Sequence, residues 1–163
     1  MIAAMLGRTY ESQICSVAGS LELIGERWTL LIVRDAFMGA RRFEDFQRRT
    51  GVARNILSAR LNLLVDEGIL AKVPYQEHPV RYEYRLSDKG LDLWPVIVAL
   101  VQWGDHYIYP GRAPVLLVHR NCGGAVSDRR MCETCGAKLG PRDVQARRGV
   151  GGGMVAADSA AAS

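Results

Sequence analysis

The chain has 163 residues, of which 48% are hydrophobic, and a formal net charge of +4. This length fits one ordinary domain with an appendage, and the apolar fraction is high enough to exclude wholesale disorder. The longest apolar run with helical character, residues 28–33, is far shorter than the roughly 20 residues that cross a bilayer, and the amino terminus lacks a secretory pattern. We therefore expect a cytoplasmic chain whose four cysteines are reduced thiols or metal ligands.

The first part of the chain predicts four helices. Residues 15–25 are amphipathic, and residues 27–39 are apolar on nearly all sides, which is typical of a central core helix. Shorter helical patterns cover residues 41–49 and 53–67. In the last of these, four apolar residues recur at the spacing of one buried face. They are Ile56, Leu57, Leu61 and Leu64. Gly68 follows, and we expect it to end the helix by adopting a positive φ.

The opposite face of the fourth helix is small, polar and basic, with no carboxylate before Asp66 and Glu67. Such a face fits the major groove of DNA, where arginine can bind guanine, asparagine can bind adenine and a methyl group can contact thymine. The candidates for reading bases are Arg54, Asn55, Ser58, Ala59 and Asn62. Arg60 has two interpretations: it binds a phosphate, or it pairs with one of the two carboxylates at the end of the helix.

Basic residues are concentrated around these two short helices, with six arginines between residues 41 and 60 against Glu44 and Asp45. Phosphate contacts fix the position of a protein on a duplex without selecting a sequence. We predict this role for Arg41, Arg42, Arg48 and Arg49. The alternative for each is a solvated surface charge.

From residue 69 the spacing of apolar residues changes from that of a helix to that of a β-strand. Residues 69–75 and 80–86 are β-prone, and the second run alternates apolar and polar side chains. Because a hairpin cannot bury itself, it should lie against the helices as a wing. His78 and Arg81, with Lys72, are candidates to contact the minor groove or backbone, and His78 is equally well interpreted as a bystander. Ser87 should cap a last helix, which Pro95 should kink or restart.

Several separate motifs between residues 15 and 112 agree in order and spacing with one family. They are Cys15, Gly25-Glu26-Arg27-Trp28, Phe43-Glu44-Asp45-Phe46, Leu57-x-x-Arg60-Leu61-x-x-Leu64, Arg81-Tyr82-Glu83-Tyr84-x-Leu86-Ser87-x-Lys89-Gly90 and Trp103-Gly104. Together they closely resemble the HxlR family of bacterial transcription regulators, within the MarR-like winged helix-turn-helix superfamily. The resemblance implies a non-enzymatic, sequence-specific DNA-binding regulator, more often a repressor than an activator.

The resemblance also implies a homodimer that binds an operator through two recognition helices and two wings. The family dimerises through its first and last helices, so we expect the last helix to contribute the stripe Leu91, Trp94, Val98 and Val101. Several members sense electrophiles or oxidants through a cysteine near the first helix, where Cys15 lies. Cys15 is alternatively a small buried hydrophobe, and a small-molecule or redox effector stays open.

The segment after Gly111 carries a separate signal, His119-x-x-Cys122-Gly followed by Cys132-x-x-Cys135-Gly. Two close pairs of nitrogen and sulfur ligands on tight turns suit tetrahedral zinc, and we predict one structural zinc ion per chain. The alternatives are a ribbon without metal and a redox-active Cys132/Cys135 pair, which would make a metal- or redox-responsive regulator or, remotely, a thiol oxidoreductase.

The predicted fold is therefore mainly α with a small β-hairpin wing, followed by a zinc-ribbon-like tail. The winged domain covers residues 15–112 and the tail residues 113–145, with strands at 115–118 and 125–126. Residues 146–163, which are rich in glycine and alanine, are predicted to be disordered.

Overall fold

The computed structural model describes residues 15–152. The helices are α1 (Ser16–Ile24), α2 (Arg27–Phe37), α3 (Phe43–Thr50), α4 (Arg54–Asp66), α5 (Asp88–Leu91) and α6 (Trp94–Tyr107). The strands are β1 (Leu70–Glu77), β2 (Val80–Leu86), β3 (Val115–His119) and β4 (Val144–Arg148). Among these residues, no helix has both the length and the apolar character needed to cross a membrane.

A single hydrophobic core joins the first four helices to the wing and to α6. It is centred on α2, whose apolar character allows it to be covered by other elements on several sides. Its buried members are Ile24, Ile32, Val33, Ala36, Ala40, Phe46, Val52, Leu57, Leu61, Leu64, Ile69, Leu70, Tyr84 and Ile97. This arrangement confirms the predicted winged helix-turn-helix fold.

The helix boundaries follow local signals. Gly51 and Gly68 adopt φ values of 66° and 67°, so each ends its helix in the left-handed region, where glycine has no steric cost. The Ser87 side chain accepts a hydrogen bond from the Gly90 amide and caps α5. Pro95 lies in the first turn of α6, so the chain breaks after Leu91 and restarts, which is one of the two outcomes predicted for this proline.

The wing is the antiparallel hairpin of β1 and β2, which is longer than predicted because β1 continues to Glu77. The register shifts between Pro74 and Gln76, which leaves Tyr75 as the extra residue of a bulge. The base of α3 is attached to this hairpin, since the Tyr84 amide donates to the Arg41 carbonyl at 2.7 Å. The wing and the helix-turn-helix unit are therefore positioned together.

The tail forms a second antiparallel hairpin, from β3 and β4, with Val115 opposite Arg148 and His119 opposite Val144. The predicted boundary at residue 145 is wrong, because β4 extends the ordered tail through Arg148. The predicted strand at residues 125–126 is also wrong: these residues make only isolated bridges, to Val118 and Cys132. Short local signals could not identify β4 because its pairing partner lies about 30 residues earlier. Residues 153–163 of the predicted disordered terminus lie outside the described residues.

The tail is fastened to α6 through a second apolar cluster. Trp94 and Val98 of α6 pack with three tail residues, which are Cys132, Leu139 and Val144. Trp94 is only 6% exposed and Val98 only 1%, so neither α6 residue is free to contact another molecule. The prediction that Trp94 and Val98 lie in a dimer interface is therefore wrong, since the tail of the same chain covers this face.

Candidate functional site

The fourth helix presents the polar face that the sequence predicts. Its inner residues Leu57, Leu61 and Leu64 are buried, whereas its outer residues are exposed. The exposed set contains Arg54, Asn55, Ser58, Ala59 and Asn62, and it also contains Ile56. Ile56 was predicted in the core, but it is 38% exposed, because it lies one residue away from the buried stripe.

Two arginines of α4 are held by neighbouring helices. The Arg54 guanidinium donates to the Gln47 side-chain carbonyl at 2.8 Å and lies over the Phe43 ring, so it is positioned by α3. The Arg60 Nε atom lies 3.3 Å from a carboxylate oxygen of Glu26, and Arg60 does not pair with Asp66 or Glu67. The predicted pairing of Arg60 with one of those two carboxylates is therefore wrong. Glu26 also accepts from the Trp28 amide at the start of α2. Arg60 therefore ties the outer side of α4 to α2.

The arginines predicted to bind phosphate differ in their surroundings. Arg41 donates to the carbonyls of Ala36 and Ala40, and Arg49 donates to that of Met38, so both guanidinium groups hold the turn between α2 and α3. Arg42 is exposed and stacks on Tyr75 of the wing, with its guanidinium carbon 4.5 Å from the ring centroid. Arg48 is also exposed and pairs with Asp45 at 2.9 Å.

The wing carries the remaining polar residues that the sequence predicts to contact DNA. His78 lies in the turn between β1 and β2, where its carbonyl accepts from the Gln76 side chain, and Arg81 follows at the start of β2. Both residues are exposed. Lys72 lies lower on the hairpin, and its ammonium group is 4.5 Å from the Tyr82 ring centroid.

The tail brings together the four predicted metal ligands. One ligand atom from each of His119, Cys122, Cys132 and Cys135 lies within 4.8 Å of the others. His119 Nδ1 is 3.2 Å from the Cys122 sulfur and 3.4 Å from the Cys135 sulfur, and the Cys122 and Cys132 sulfurs are 3.4 Å apart. A tetrahedral zinc ion with bonds of about 2.0–2.3 Å separates its ligands by roughly 3.5–3.8 Å. The donor set and its spacing therefore fit one zinc ion.

The two ligand pairs lie on turns of the same construction. In each turn the glycine after the second ligand donates its amide to the carbonyl of the first, Gly123 to His119 and Gly136 to Cys132, both at 2.8 Å. Both glycines have positive φ values, of 73° and 72°. Such turns aim backbone amides at the ligand side, and amides of Cys135 and Thr134 help to lower the pKa of the Cys132 thiol to about 6.

Gly124 is a site residue that the sequence signalled only as the second glycine after Cys122. A β-carbon at this position would lie 2.5 Å from the Cys132 sulfur and 2.5 Å from the Thr134 hydroxyl. Distances this short are not tolerated, so only glycine allows the first turn to approach the second this closely. Gly124 therefore determines the spacing of the ligand pairs.

Cys15 lies apart from this cluster, immediately before α1, and its side chain is exposed. The interpretation of Cys15 as a buried hydrophobe is therefore wrong. Backbone amides of Ala18 and Val17 at the start of the helix lower the pKa of its thiol. A lowered pKa increases the thiolate fraction, which is the reactive form.

The chain matches the family model of the HxlR-like helix-turn-helix over residues 23–112. It is 44% identical over 152 residues to an uncharacterised HTH-type transcriptional regulator of Mycobacterium tuberculosis, covering 93% of this chain and 95% of the relative. An uncharacterised HTH-type transcriptional regulator of Bacillus subtilis, YvaP, is 31% identical over 102 residues, covering 61% and 94% of the two chains. These relatives are transcriptional regulators and not enzymes.

Among solved structures, the crystal structure of PA1607, provisionally described as a transcription factor, superposes with a TM-score of 0.67. It is 43% identical, and the match covers 82% of this chain and 94% of that one. The family model stops at residue 112, whereas the mycobacterial match also spans most of the tail. Because the family model matches more than half of the chain, the chain is a member of the HxlR-like helix-turn-helix family of transcriptional regulators.

Proposed function

We propose that the chain is a repressor that binds a specific operator as a homodimer. The observation that carries this proposal is the outer face of α4, where Asn55, Ser58, Ala59 and Asn62 are exposed on a helix whose inner face is locked in the core. Base recognition needs polar groups on a rigid helix that fits the major groove. This helix supplies both features.

Within this proposal, Arg54, Asn55 and Ser58 read bases at the amino-terminal end of the helix. Arg42 supports them through the phosphate backbone, as do His78 and Arg81 at the wing tip. Arg41, Arg49 and Arg60 already bind partners within the chain, so their main contribution is to hold α3 and α4 in place. Substitution of these three would therefore change DNA binding together with stability.

The dimer is proposed to form through the exposed apolar faces of α1 and α6. On α6 the outward stripe recurs at helical spacing and consists of Val96, Leu100, Trp103 and Tyr107, with Trp103 58% exposed. On α1, Val17 is 65% exposed and Leu21 lies one turn further along. Apolar faces of this kind are costly in water and mark association surfaces. Two copies would place two recognition helices on successive half-sites.

Operator selection from random duplexes, followed by binding titrations, tests the DNA-binding part of the proposal. Asn55→Ala should cost about 1–3 kcal/mol on the selected operator and relax its sequence preference. Arg42→Ala should weaken binding to all duplexes alike and reduce the salt slope by roughly one unit. Asn121→Ala and Arg129→Ala, the same changes at exposed positions of the tail, serve as controls. An unchanged preference in Asn55→Ala would contradict the assignment of this face to bases.

Transcription from a template that carries the selected operator tests the direction of regulation. A repressor should lower the transcript level in proportion to operator occupancy, because the bound dimer competes with polymerase for the promoter. A rise in transcript level with occupancy would instead make the protein an activator.

For the tail we propose one structural zinc ion held by His119, Cys122, Cys132 and Cys135. The spacing of these four ligands and the similar turns around them support a tetrahedral site. Bound zinc would cross-link the two turns. Metal analysis of protein purified without added zinc should give about one equivalent per chain. Protein that lacks metal while its tail remains folded would show that the four groups form a ribbon without an ion.

A second candidate function is a response to oxidants through Cys15. Its exposed thiol and lowered pKa favour this function. A solved relative named as the redox regulator HypR is 28% identical, with a TM-score of 0.53 over 56% of this chain. Treatment with an oxidant should change operator affinity in the wild type and not in Cys15→Ser. An equal response in both proteins would assign any sensitivity to other cysteines.

A further inference from the structure

The sixth helix packs on the main core through Ile97 and carries two further apolar faces with different partners. One face, at Trp94 and Val98, is covered by the tail of the same chain. The other, at Leu100 and Trp103, is exposed and belongs to the proposed dimer interface. Because a helix moves as a stiff body, a change in the packing of one face alters the position of the other. The tail and the dimer surface are thus connected through a single element.

The ligand cluster is attached to this helix at two points. Cys132 is both a metal ligand and a core residue, since it is 2% exposed and packs in the cluster with Trp94 and Val98. The Gln102 side chain donates to the Val126 carbonyl at 3.1 Å, and Val126 forms a bridge with Cys132. The loop that carries the ligands therefore contacts α6 along about two turns of the helix.

We propose that metal loading of the tail strengthens the dimer by fixing α6 in place. When the ion holds the two turns together, Cys132 and the neighbouring Leu139 and Val144 are kept against the helix. Without the ion, the tail has too little apolar material to stay closed, and the inner face of α6 loses its cover. This inference rests on the proposed dimer and on the proposed zinc site. It states that zinc binding and dimerisation strengthen each other.

Sedimentation of the full chain tests this coupling directly. The dissociation constant of the dimer is measured with bound zinc, after removal of zinc by a chelator, and after zinc is added back. We expect removal to raise the constant about tenfold, within the range usual for coupled sites, and addition to restore it. Helical circular dichroism in each state checks that the winged region stays folded.

The outcomes separate this inference from the proposals beneath it. A monomer at micromolar concentration in the presence of zinc would contradict the proposed dimer. Absence of bound zinc would contradict the proposed metal site. A loaded dimer whose dissociation constant stays the same after zinc removal, or becomes lower because Trp94 and Val98 are newly exposed, would overturn the coupling alone.

Zinc binding and dimerisation must affect each other reciprocally, so zinc affinity is a second measurement of the coupling. It can be made on a variant whose tail keeps all four ligands. Because the dimer binds two zinc ions, one per chain, the factor by which full zinc loading strengthens the dimer is the square of the factor by which dimerisation strengthens each zinc site. Trp103→Glu, which places a charge in the exposed stripe and changes none of the four ligands, should yield a monomer whose zinc affinity is lowered about threefold, the square root of the tenfold change in the dimer constant. Equal zinc affinity in monomeric Trp103→Glu and dimeric wild type would overturn the coupling.

Gln102→Ala removes one attachment between α6 and the ligand loop without changing any ligand or the exposed stripe. It should retain one equivalent of zinc and still weaken the dimer, by a smaller factor than zinc removal. Gln76→Ala, in the wing, removes a comparable side-chain hydrogen bond and should leave the dimer unchanged. An identical dissociation constant of the dimer in Gln102→Ala and Gln76→Ala would contradict a role of the Gln102–Val126 hydrogen bond in the coupling.

Discussion

The winged region and the tail are stabilised in different ways. All fourteen buried members of the main core come from the winged region, so it encloses an interior of its own. The smaller cluster of five includes only Cys132, Leu139 and Val144 from the tail, and the other two members belong to α6. A segment of about 40 residues rarely buries enough surface to fold alone, and a metal commonly supplies the missing stability.

The tail depends on the winged region for its packing, whereas the winged region depends little on the tail. The tail needs a helix of the winged region to complete its apolar cluster, whereas the main core includes none of residues 113–152, the part of the tail that the structure describes. The tail instead covers Trp94 and Val98 on α6. Loss of the tail should therefore change the surface of the winged region without unfolding it, while loss of the main core should unfold both.

Loss of the metal should have the largest effect, and the unfolding that it causes should be confined to the tail. Cys132→Ser removes the more deeply buried of the two buried ligands, Cys132 and His119. Structural zinc in small peptides contributes about 10–16 kcal/mol of apparent folding energy. We expect the variant to lose its zinc and to be cleaved by protease in residues 113–152. Cys15→Ser, which lies outside the cluster, is the control. Protease resistance equal to that of wild type would mean that the tail is stable without its ion.

Phe46→Ala should produce the next largest effect and should destabilise both regions. Phe46 is fully buried in α3 and contacts Tyr84 of the wing edge-on, so its removal leaves a large cavity in the main core. The expected loss is about 3–5 kcal/mol in the free energy of unfolding, measured by denaturant titration. Zinc should be released in the same transition, because the tail loses the helix on which it packs. Retention of zinc after the helices melt would show that the tail folds by itself.

Gly124→Ala tests how closely the two ligand turns must approach each other. The added methyl group would meet the Cys132 sulfur at 2.5 Å, so one turn must move and zinc affinity should fall. Gly140→Ala is the matched control, since its β-carbon would lie at an ordinary 3.5 Å from the Asp143 side chain. Competition with a metal-binding dye measures both affinities. Equal affinities would mean that the turns adjust without cost.

A pair of serine substitutions should give the smallest effects and the sharpest comparison. Ser87→Ala removes the cap of α5 and should lower the free energy of unfolding of the winged region by about 1 kcal/mol. Ser127→Ala removes a hydroxyl that accepts from the Met131 amide within the tail. It should increase proteolysis of the tail and leave the helical unfolding transition unchanged. A shift of that transition in both variants would indicate a single cooperative unit.

The sequence alone predicted the features that depend on local chemistry and on periodicity. The helix-turn-helix pair, the wing, the glycine at the end of α4 and the serine cap of α5 follow from propensity and from the spacing of apolar residues. The four side chains that could hold a metal were predicted to lie together because ligand pairs on tight turns are a local pattern. Arg54 and Asn55 were placed correctly on the exposed face because helical spacing separates the two sides of α4.

Only the tertiary structure decided which surfaces remain free. The stripe at Trp94 and Val98 and the stripe at Leu100 and Trp103 both recur at helical spacing of three or four residues, and periodicity cannot tell which stripe is covered by the tail. Strand β4 could be identified only through its pairing with β3, and Arg60 was found to contact Glu26 from a distant helix. These features depend on contacts between residues far apart in the chain, which no local pattern encodes.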